Sequence, residues 1–306
     1  MRRGEPQGSP FLFLAPRADD PCVAAAPASA RRPRTIAGIM SDTINVLAVG
    51  DLIGRPGRRA ATRLIPQLRR ELGIDIVVAN GENASGGFGL SVSDARDLFS
   101  SGVDVLTSGN HIWDQKEIIS ALDDMPILRP MNYPPGTPGK GYLVHDLGER
   151  GRVAVANVQG LVFMPPIDSP FRAIDAFLAE TEDVTVRMVD IHAEATSEKQ
   201  AMAHYLDGKV SLLWGTHTHT PTADQRVMPG GTAFVSDLGM VGPRDAVIGM
   251  DAEGSLRRFL TGIPQRFKVG TGVVTFNSVV VRISVTTGQA ESIERVDHTV
   301  DVSSAE

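Results

Sequence analysis

The stretch Leu212–His219, LLWGTHTH, indicates both the kind of fold and the kind of site that this chain forms. Its apolar residues run into Gly215, and two histidines follow, as expected for a buried strand that opens into a loop. In extended backbone, residues two apart point to the same side, so His217 and His219 could present two imidazoles to one metal ion. Two partly buried histidines bonded to backbone groups would explain this stretch equally well, and the rest of the chain decides between these interpretations.

The same pattern, an apolar run followed by polar side chains, recurs along the chain. Strands are predicted at Ile44–Val49, Asp75–Ala79, Val103–Thr107, Gly141–Asp146, Val153–Val158, Val184–Ile191, Thr232–Val235, Val273–Phe276 and Val279–Val285. Helices are predicted at Arg58–Leu72, Ser91–Ser101, Lys116–Leu122, Ile174–Glu180 and Ser197–Tyr205, the last with an N-terminal Thr or Ser cap. This alternation predicts an α/β fold, in which functional sites form at the carboxyl ends of the strands.

Ligand-type side chains lie at or just past the predicted ends of these strands. They are Asp51, Glu82, Asn83, Asn110, His192, His217 and His219. Imidazoles, carboxylates and amide oxygens together suit iron, manganese or zinc better than calcium or magnesium. Seven ligands are too many for one metal ion, but they suit two ions that share a carboxylate, the usual arrangement for displacement at phosphorus.

These segments resemble the signatures of metallophosphoesterases of the calcineurin-like superfamily, which follow in the same order: GD (50–51), GEN (81–83), GNH (109–111), His192 and GTHTH (215–219). The resemblance is closer to the YmdB-like metallophosphoesterases and extends from about residue 44 to residue 296. Their longer signatures are similar to GDLIGRPGR (50–58), NGENASGG (80–87), SGNHIWDQKE (108–117), RPMNYPPGTPGKG (129–141), HAEATSEK (192–199) and GTHTHTPTAD (215–224).

The wider superfamily has D-x-H in its first motif and an aspartate in its second, whereas this chain has Asp51-Leu52-Ile53 and Glu82-Asn83. Both departures are shared with the YmdB-like family, where the glutamate bridges two metals and the asparagine replaces the missing histidine. The resemblance implies one metal on Asp51, Glu82, Asn83 and His219, and a second on Glu82, Asn110, His192 and His217. It also implies that His111 stabilises or protonates the leaving-group oxygen.

The resemblance further implies a four-layer α/β/β/α sandwich with two mixed β-sheets. The implied activity is hydrolysis of phosphodiesters, 2′,3′-cyclic nucleotides in particular, by a metal-bridging hydroxide, with iron or manganese as the metals and zinc as an alternative. Two other functions stay open: a phosphomonoesterase or nucleotidase on the same metals, and a regulatory protein that binds a nucleotide and turns it over slowly.

Composition narrows the choice of partners and location. The chain has 306 residues, 42% of them hydrophobic, and a formal net charge of -6, so an obligate partnership with long nucleic acid is not expected. No run reaches the roughly 18 apolar residues of a membrane helix, which predicts a soluble protein without a membrane partner. The single cysteine, Cys22, fits the cytoplasm. Formation of a homo-oligomer stays open.

The predicted domain organisation has three parts. Residues 1–39 are rich in Arg, Pro and Ala and are expected to be a disordered extension. Residues 40–300 are expected to form the metallophosphoesterase domain, and residues 301–306, in the polar tail after His298, to be frayed. Within the domain, Gly54, Pro56 and Gly57 are interpreted as a turn, and Arg55 and Arg58 are either surface residues or contacts for substrate phosphate. Asp237, near a strand end, is a candidate support for the ligands.

Overall fold

The computed structural model describes residues 42–302, which form fifteen β-strands, five α-helices and two short 3₁₀ helices. Residues 1–41 and 303–306, and with them Cys22 and the predicted extension, lie outside the described residues. The domain boundaries therefore stay predictions. No helix within residues 42–302 is long and apolar enough to cross a lipid bilayer.

Two large mixed sheets form the centre of the fold. The first contains β1 (Thr43–Val49), β3 (Ile76–Asn80), β4 (Val105–Thr107), β13 (Ser278–Ser284) and β14 (Ala290–Arg295), in the order β14-β13-β1-β3-β4. The second contains β5 (Tyr142–Asp146), β6 (Arg152–Gln159), β7 (Val186–His192), β8 (Leu212–Thr216), β9 (Arg226–Val227) and β10 (Ala233–Val235), in the order β5-β6-β7-β8-β10-β9.

A third, smaller sheet was not predicted. It contains β2 (Asp51–Leu52), β11 (Met240–Pro243), β12 (Val273–Phe276) and β15 (His298–Asp301), in the order β15-β12-β11-β2. The strand β2 follows β1 after one glycine and pairs in parallel with β11. The consecutive strands β1 and β2 thus belong to different sheets, and Asp51 lies where the two sheets diverge.

Four helices cover the outer faces of the two large sheets: α1 (Gly54–Glu71), α2 (Val92–Ser100), α3 (Pro170–Glu180) and α4 (Thr196–Leu206). The remaining helices are α5 (Ala252–Thr261) and the 3₁₀ helices Lys116–Ala121 and Gly148–Arg150. One core lies between the first sheet and α1 and α2, one between the two sheets, and one between the second sheet and α3 and α4. The predicted four-layer α/β/β/α order is confirmed.

Burial on both faces explains why the central strands read as continuous apolar runs. In β1, Leu47 and Val49 pack towards the helices, while Val46 and Ala48 pack towards the second sheet. All four side chains are fully buried. A strand covered on both sides has no polar face, so its sequence shows no alternation.

Two local predictions about helices were wrong. Helix α1 begins at Gly54 rather than Arg58, since Pro56 lies in its first turn, where a backbone N–H has no intrahelical partner in any case. Helix α4 begins after Ala195 without a side-chain cap, so the predicted Thr or Ser cap is absent there. At the other end of the chain, β15 extends to Asp301, and Val302 packs in the core beneath it.

Candidate metal centre

The carboxyl ends of the parallel strands bring all seven predicted ligands together. Asp51 lies on β2 after β1, His192 is the last residue of β7, and the others follow strands in the adjoining loops: Glu82 and Asn83 after β3, Asn110 after β4, and His217 and His219 after β8. Asp51, Glu82 and His192 are fully buried, and Asn83 and His219 are nearly so.

Two groups of side chains have the spacing of metal ligands. Glu82, His192 and His217 form one group, and Asp51, Glu82 and His219 form the other; within each, the ligand atoms lie within 4.8 Å of one another. Glu82 belongs to both groups. A carboxylate shared between two groups is the arrangement that a pair of bridged metal ions requires.

The first group is built around the Nε2 atom of His192. Glu82 Oε1 lies 3.0 Å from this atom, His217 Nδ1 lies 3.0 Å from it, and Asn110 Oδ1 lies 3.2 Å from it. Four donor atoms therefore converge where one ion could be held. Asn110 contributes the amide oxygen that the strand-end pattern predicted.

The second group is built around Asp51 and His219. The Oδ1 atom of Asp51 lies 3.9 Å from His219 Nε2. Asn83 lies between the two groups, with its Nδ2 atom 3.2 Å from His219 Nε2 and 3.0 Å from Glu82 Oε1. The backbone N–H of His217 donates to Asp51 Oδ2 at 3.2 Å, so the two groups are joined at a second point.

The donor atoms fit cations. Asp51 Oδ1 is buried and has no hydrogen-bond partner among residues 42–302. Burial raises the pKa of Asp51 well above its ordinary value; the charge of His192 opposes this shift, and the carboxylates of Glu82, Asp237 and Asp190 reinforce it. A buried carboxylate among other carboxylates is unfavourable without a compensating cation. The site therefore fits bound metal cations.

Glu82 and His192 form an ion pair. Burial would raise the pKa of Glu82, but the charge and hydrogen bond of His192, with a contribution from His111, lower it to about 2. Burial would lower the pKa of His192, but Glu82, followed by Asp51 and Asp190, raises it to about 9. A histidine must lose its proton from the ligating nitrogen to bind metal, so metal binding here should release a proton.

Hydrogen bonds on the far side of the rings orient two of the histidines. His192 Nδ1 lies 2.9 Å from Thr216 Oγ1, which itself donates to Asp190 Oδ1 at 2.8 Å. Thr216 therefore accepts from Nδ1–H. His219 Nδ1 lies 2.9 Å from the carbonyl oxygen of Ile248 and donates to it. In both rings Nε2 is thereby directed into the centre, where it can bind a metal ion once it has lost its proton.

The two histidines of GTHTH do not reach the centre by extended backbone, so that part of the prediction was wrong. The strand ends at Thr216, and the backbone φ angles of His217 and His219 are +99° and +62°. Few residues other than glycine adopt positive φ, and such residues persist where surrounding contacts hold them. The loop conformation, rather than the period of a strand, directs these imidazoles.

The buried ion pair between Lys199 and Asp237 holds this loop. Asp237 was singled out from the sequence, but Lys199 was not. Lys199, on α4, is 1% exposed, and its Nζ donates to Asp237 Oδ2 at 2.7 Å and to the carbonyl oxygen of Thr216 at 2.9 Å. Asp237 Oδ2 also accepts from Thr218 Oγ1 at 2.8 Å and from Thr218 N at 3.3 Å. A lysine in an amphipathic helix gives no sign of burial, although Asp237 was a candidate support.

His111 lies at the edge of the centre rather than within either group. Its backbone N–H donates to Glu82 Oε2 at 3.2 Å, and its ring Nδ1 lies 2.8 Å from Asp114 Oδ2. Phe88 packs edge-on against the ring, with centroids 5.1 Å apart. The imidazole is thus held in position beside the donor atoms without being one of them.

A cavity of about 360 Å³ opens from the centre. Its polar part is lined by Glu82, Asn83, His111, Glu194, His217, Thr218, His219 and Ser255, and its apolar part by Phe88, Val247, Ile248, Met250, Phe259 and Phe267. The volume suits a small ligand with one polar and one apolar end. Helix α5 and the segment around Phe267, which supply part of the apolar lining, carry no signal that sequence reasoning recognised.

Comparison with known proteins agrees with this geometry. A protein of Bacillus subtilis (strain 168) named 2′,3′-cyclic-nucleotide 2′-phosphodiesterase is 44% identical over 255 residues, which are 83% of this chain and 96% of that protein. A phosphatase structure from Mycoplasma pneumoniae superposes with a TM-score of 0.81 at 32% identity, over 86% of this chain and 95% of that one.

A structure of a hypothetical protein from Thermus thermophilus has a TM-score of 0.80 and 42% identity, and covers 84% of this chain and 99% of that one. The model of the family described as YmdB-like protein matches residues 47–296, which contain every strand end that contributes to the centre. Because fold, motifs and nearly full-length similarity agree, this chain belongs to the YmdB-like family of phosphoesterases.

Proposed function

We propose that this protein is a dinuclear metal-dependent phosphodiesterase that hydrolyses 2′,3′-cyclic nucleotides. The observation that carries the proposal is the position of Glu82 in both ligand groups, beside the buried Asp51 Oδ1, which has no hydrogen-bond partner within residues 42–302. Metal ions at these groups would activate water and polarise the phosphoryl oxygens. The similarity to the Bacillus subtilis phosphodiesterase supports the same reaction and a small-molecule phosphoester as substrate.

The proposed ligand sets follow the two groups. Asp51, Glu82, Asn83 and His219 would hold one ion, and Glu82, Asn110, His192 and His217 the other. Neutral imidazoles beside carboxylate and amide oxygens favour borderline first-row metals, so iron or manganese is proposed, with zinc as the alternative. A cytoplasmic location is part of the proposal and is supported by the single cysteine of the chain.

His111 is proposed to protonate the leaving-group oxygen. Asp114 Oδ2 lies 2.8 Å from Nδ1 and fixes the orientation of the ring, whose other nitrogen can exchange a proton with an oxygen of the substrate. The backbone N–H of His111 is bonded to Glu82, which ties this proton donor to the shared carboxylate. This hydrogen bond holds the backbone of His111 beside the ligand groups.

The cavity supports a nucleoside substrate. Phe88, Met250, Phe259 and Phe267 line its apolar part, and aromatic and thioether side chains pack well against a planar base. The polar part adjoins the ligand groups, where a phosphate would be held. A phosphoester with a flat apolar end matches both parts.

The test is hydrolysis of bis-p-nitrophenyl phosphate and 2′,3′-cyclic AMP by manganese- or iron-loaded protein. His111→Ala should lower kcat by about 10²- to 10⁴-fold, the usual contribution of a general acid. Glu82→Gln should bind less than two equivalents of metal and lose activity with them. His204→Ala changes an exposed histidine on α4 and is the matched control, for which wild-type rates are expected.

A well-folded protein that holds two metal ions and leaves both diesters intact would refute the proposal. Hydrolysis of p-nitrophenyl phosphate alone would replace it with the phosphomonoesterase function. Tight binding of the cyclic nucleotide without turnover would replace it with the regulatory function.

A further inference from the structure

Cationic side chains lie together beside the cavity of the metal centre. Two clefts, of about 640 and 460 Å³, share Arg55 and Arg58 as lining residues. The cationic residues that line these clefts are called the basic arc below: Arg55, Arg58, Arg59, Arg63, Arg266 and Lys268. Only two acidic residues of the described chain, Asp94 and Asp97, line the same clefts. The arc is therefore positive in a chain of net charge -6.

Three members of the arc are available to a ligand. Arg55, Arg266 and Lys268 are exposed, and none of them has an ion-pair partner within residues 42–302. Arg58 differs, since it pairs with Asp94 at 2.9 Å and donates to the carbonyl oxygen of Ala84. Unpaired cations at one surface create a potential that attracts a polyanion.

The arc is continuous with the metal centre. Phe267 lines both the cavity of the centre and the larger cleft. The N–H of Gly54, at the start of α1, donates to the carbonyl oxygen of Asn83 at 2.9 Å, so the helix that carries Arg55 is bonded to a candidate metal ligand. The first turn of α1 contains no acidic residue, so no side chain there offsets the positive end of the helix.

We propose that the basic arc binds the backbone phosphates of a short single-stranded oligoribonucleotide whose 2′,3′-cyclic phosphate end lies at the metal centre. The inference rests on the proposed function and extends its substrate from mononucleotides to the ends of RNA fragments. Arg55, Arg266 and Lys268, which are exposed and have no ion-pair partner within residues 42–302, equal in number the three internucleotide phosphates of a tetranucleotide. The chemistry is unchanged: water adds across one P–O bond of the cyclic ester, leaving a phosphomonoester and a free hydroxyl.

A cyclic phosphate at a 3′ end leaves the 5′ oxygen of that nucleotide free to continue the chain. A base in the apolar part of the cavity and a strand along the arc are therefore compatible with one substrate. Single-stranded nucleic acids lose affinity with salt at a slope of about -0.7 per phosphate contacted. Three contacts predict a loss of about 20-fold in affinity between 50 and 200 mM salt.

The experiment compares 2′,3′-cyclic AMP with a tetra-adenylate that ends in a 2′,3′-cyclic phosphate, using the full chain loaded with manganese. At 50 mM salt we expect the KM for the tetranucleotide to be at least tenfold lower than that for the mononucleotide. The double variant Arg266→Ala/Lys268→Ala should lower the ratio of their kcat/KM values at least fivefold. Arg70→Ala, an exposed arginine at the other end of α1, is the control and should leave the ratio unchanged.

Fluorescence anisotropy of the same tetranucleotide with a 5′ label, measured in the His111→Ala background, reports binding separately from turnover. Weaker binding by the double variant, with a smaller salt dependence, supports binding of the oligonucleotide by the basic arc. If such binding is seen but neither cyclic ester is hydrolysed, only the proposed function fails. Equal KM values for the two substrates, or binding insensitive to salt and to the double substitution, would overturn the inference while hydrolysis of the mononucleotide stands.

Discussion

Replacing Lys199 with methionine should destabilise the protein far more than replacing any exposed lysine does. The substitution keeps the length of the side chain but leaves the carboxylate of Asp237 buried without its cation, and Asp237 is 2% exposed. Breaking a buried ion pair by removing one partner costs about 3–5 kcal/mol. Asp237 keeps hydrogen bonds from Thr218 and from Gly239 N at 2.8 Å, so a value near the lower limit, about 3 kcal/mol, is expected.

For a domain of this size, about 3 kcal/mol corresponds to a fall in Tm of roughly 6–12 °C. The assay is thermal unfolding followed by circular dichroism, with and without manganese. Lys209→Met, at an exposed position stacked over Tyr205, is the control and should change stability by no more than about 0.5 kcal/mol. The stabilisation by manganese should also shrink in Lys199→Met, because the loop that carries His217 loses its support.

Adding Asp237→Asn to Lys199→Met tests the cause. The second substitution removes the unpaired buried charge, so the double variant should be more stable than Lys199→Met alone. A Tm within about 2 °C of wild type for Lys199→Met, or a further loss in the double variant, would refute the argument.

Three further outcomes are expected. Gly109→Ala should abolish metal binding, as measured by calorimetry, because a Cβ at Gly109 would lie 2.1 Å from His192 Cδ2 and 2.4 Å from Glu82 Oε2. Gly254→Ala is the control and should bind metal normally, since the nearest atom to its Cβ is 3.4 Å away. Asp51→Asn should raise the stability of the metal-free protein, because burial opposes the charge of this carboxylate. The rise in Tm on adding manganese should be smaller in Asp51→Asn than in wild type, and equal rises in the two proteins would contradict this. Treatment with a chelator should lower the Tm of wild type, and restoring manganese should reverse the loss, since ligands that bind only the folded state stabilise it; a Tm insensitive to the chelator would argue against a metal centre.

The elements that carry the site could be predicted because they are central. Strands such as β1 and β8 are buried on both faces, so their apolar runs and the polar residues that follow them are visible in the sequence. The peripheral elements were missed: α5 buries little besides Ser255, and β14 and β15 contain exposed and polar positions. Half-exposed elements have weak periodicity, so local patterns do not distinguish them from loops.

The geometry of the histidine loop could not be read from its spacing. His217 and His219 have positive φ, which no property of histidine predicts, and the contacts that hold the loop come from Lys199 and Asp237, which lie 17 and 19 residues from their partners Thr216 and Thr218. Local sequence patterns did not predict the basic arc either. The negative net charge suggested little affinity for nucleic acid, but the fold brings residues 55–63 and 266–268 to one surface.

The linear order of residues was enough to identify the central strands, the polar side chains that follow them, the resemblance to the family and the candidate metal ligands, including the proposed sharing of Glu82. These features follow from short-range rules, since burial selects apolar runs and a site needs donor atoms of definite chemistry. The burial of Lys199 against Asp237 and the clustering of the cations became evident only from the folded structure. Each of these depends on distances between residues far apart in the chain, which are set by how sheets and helices pack.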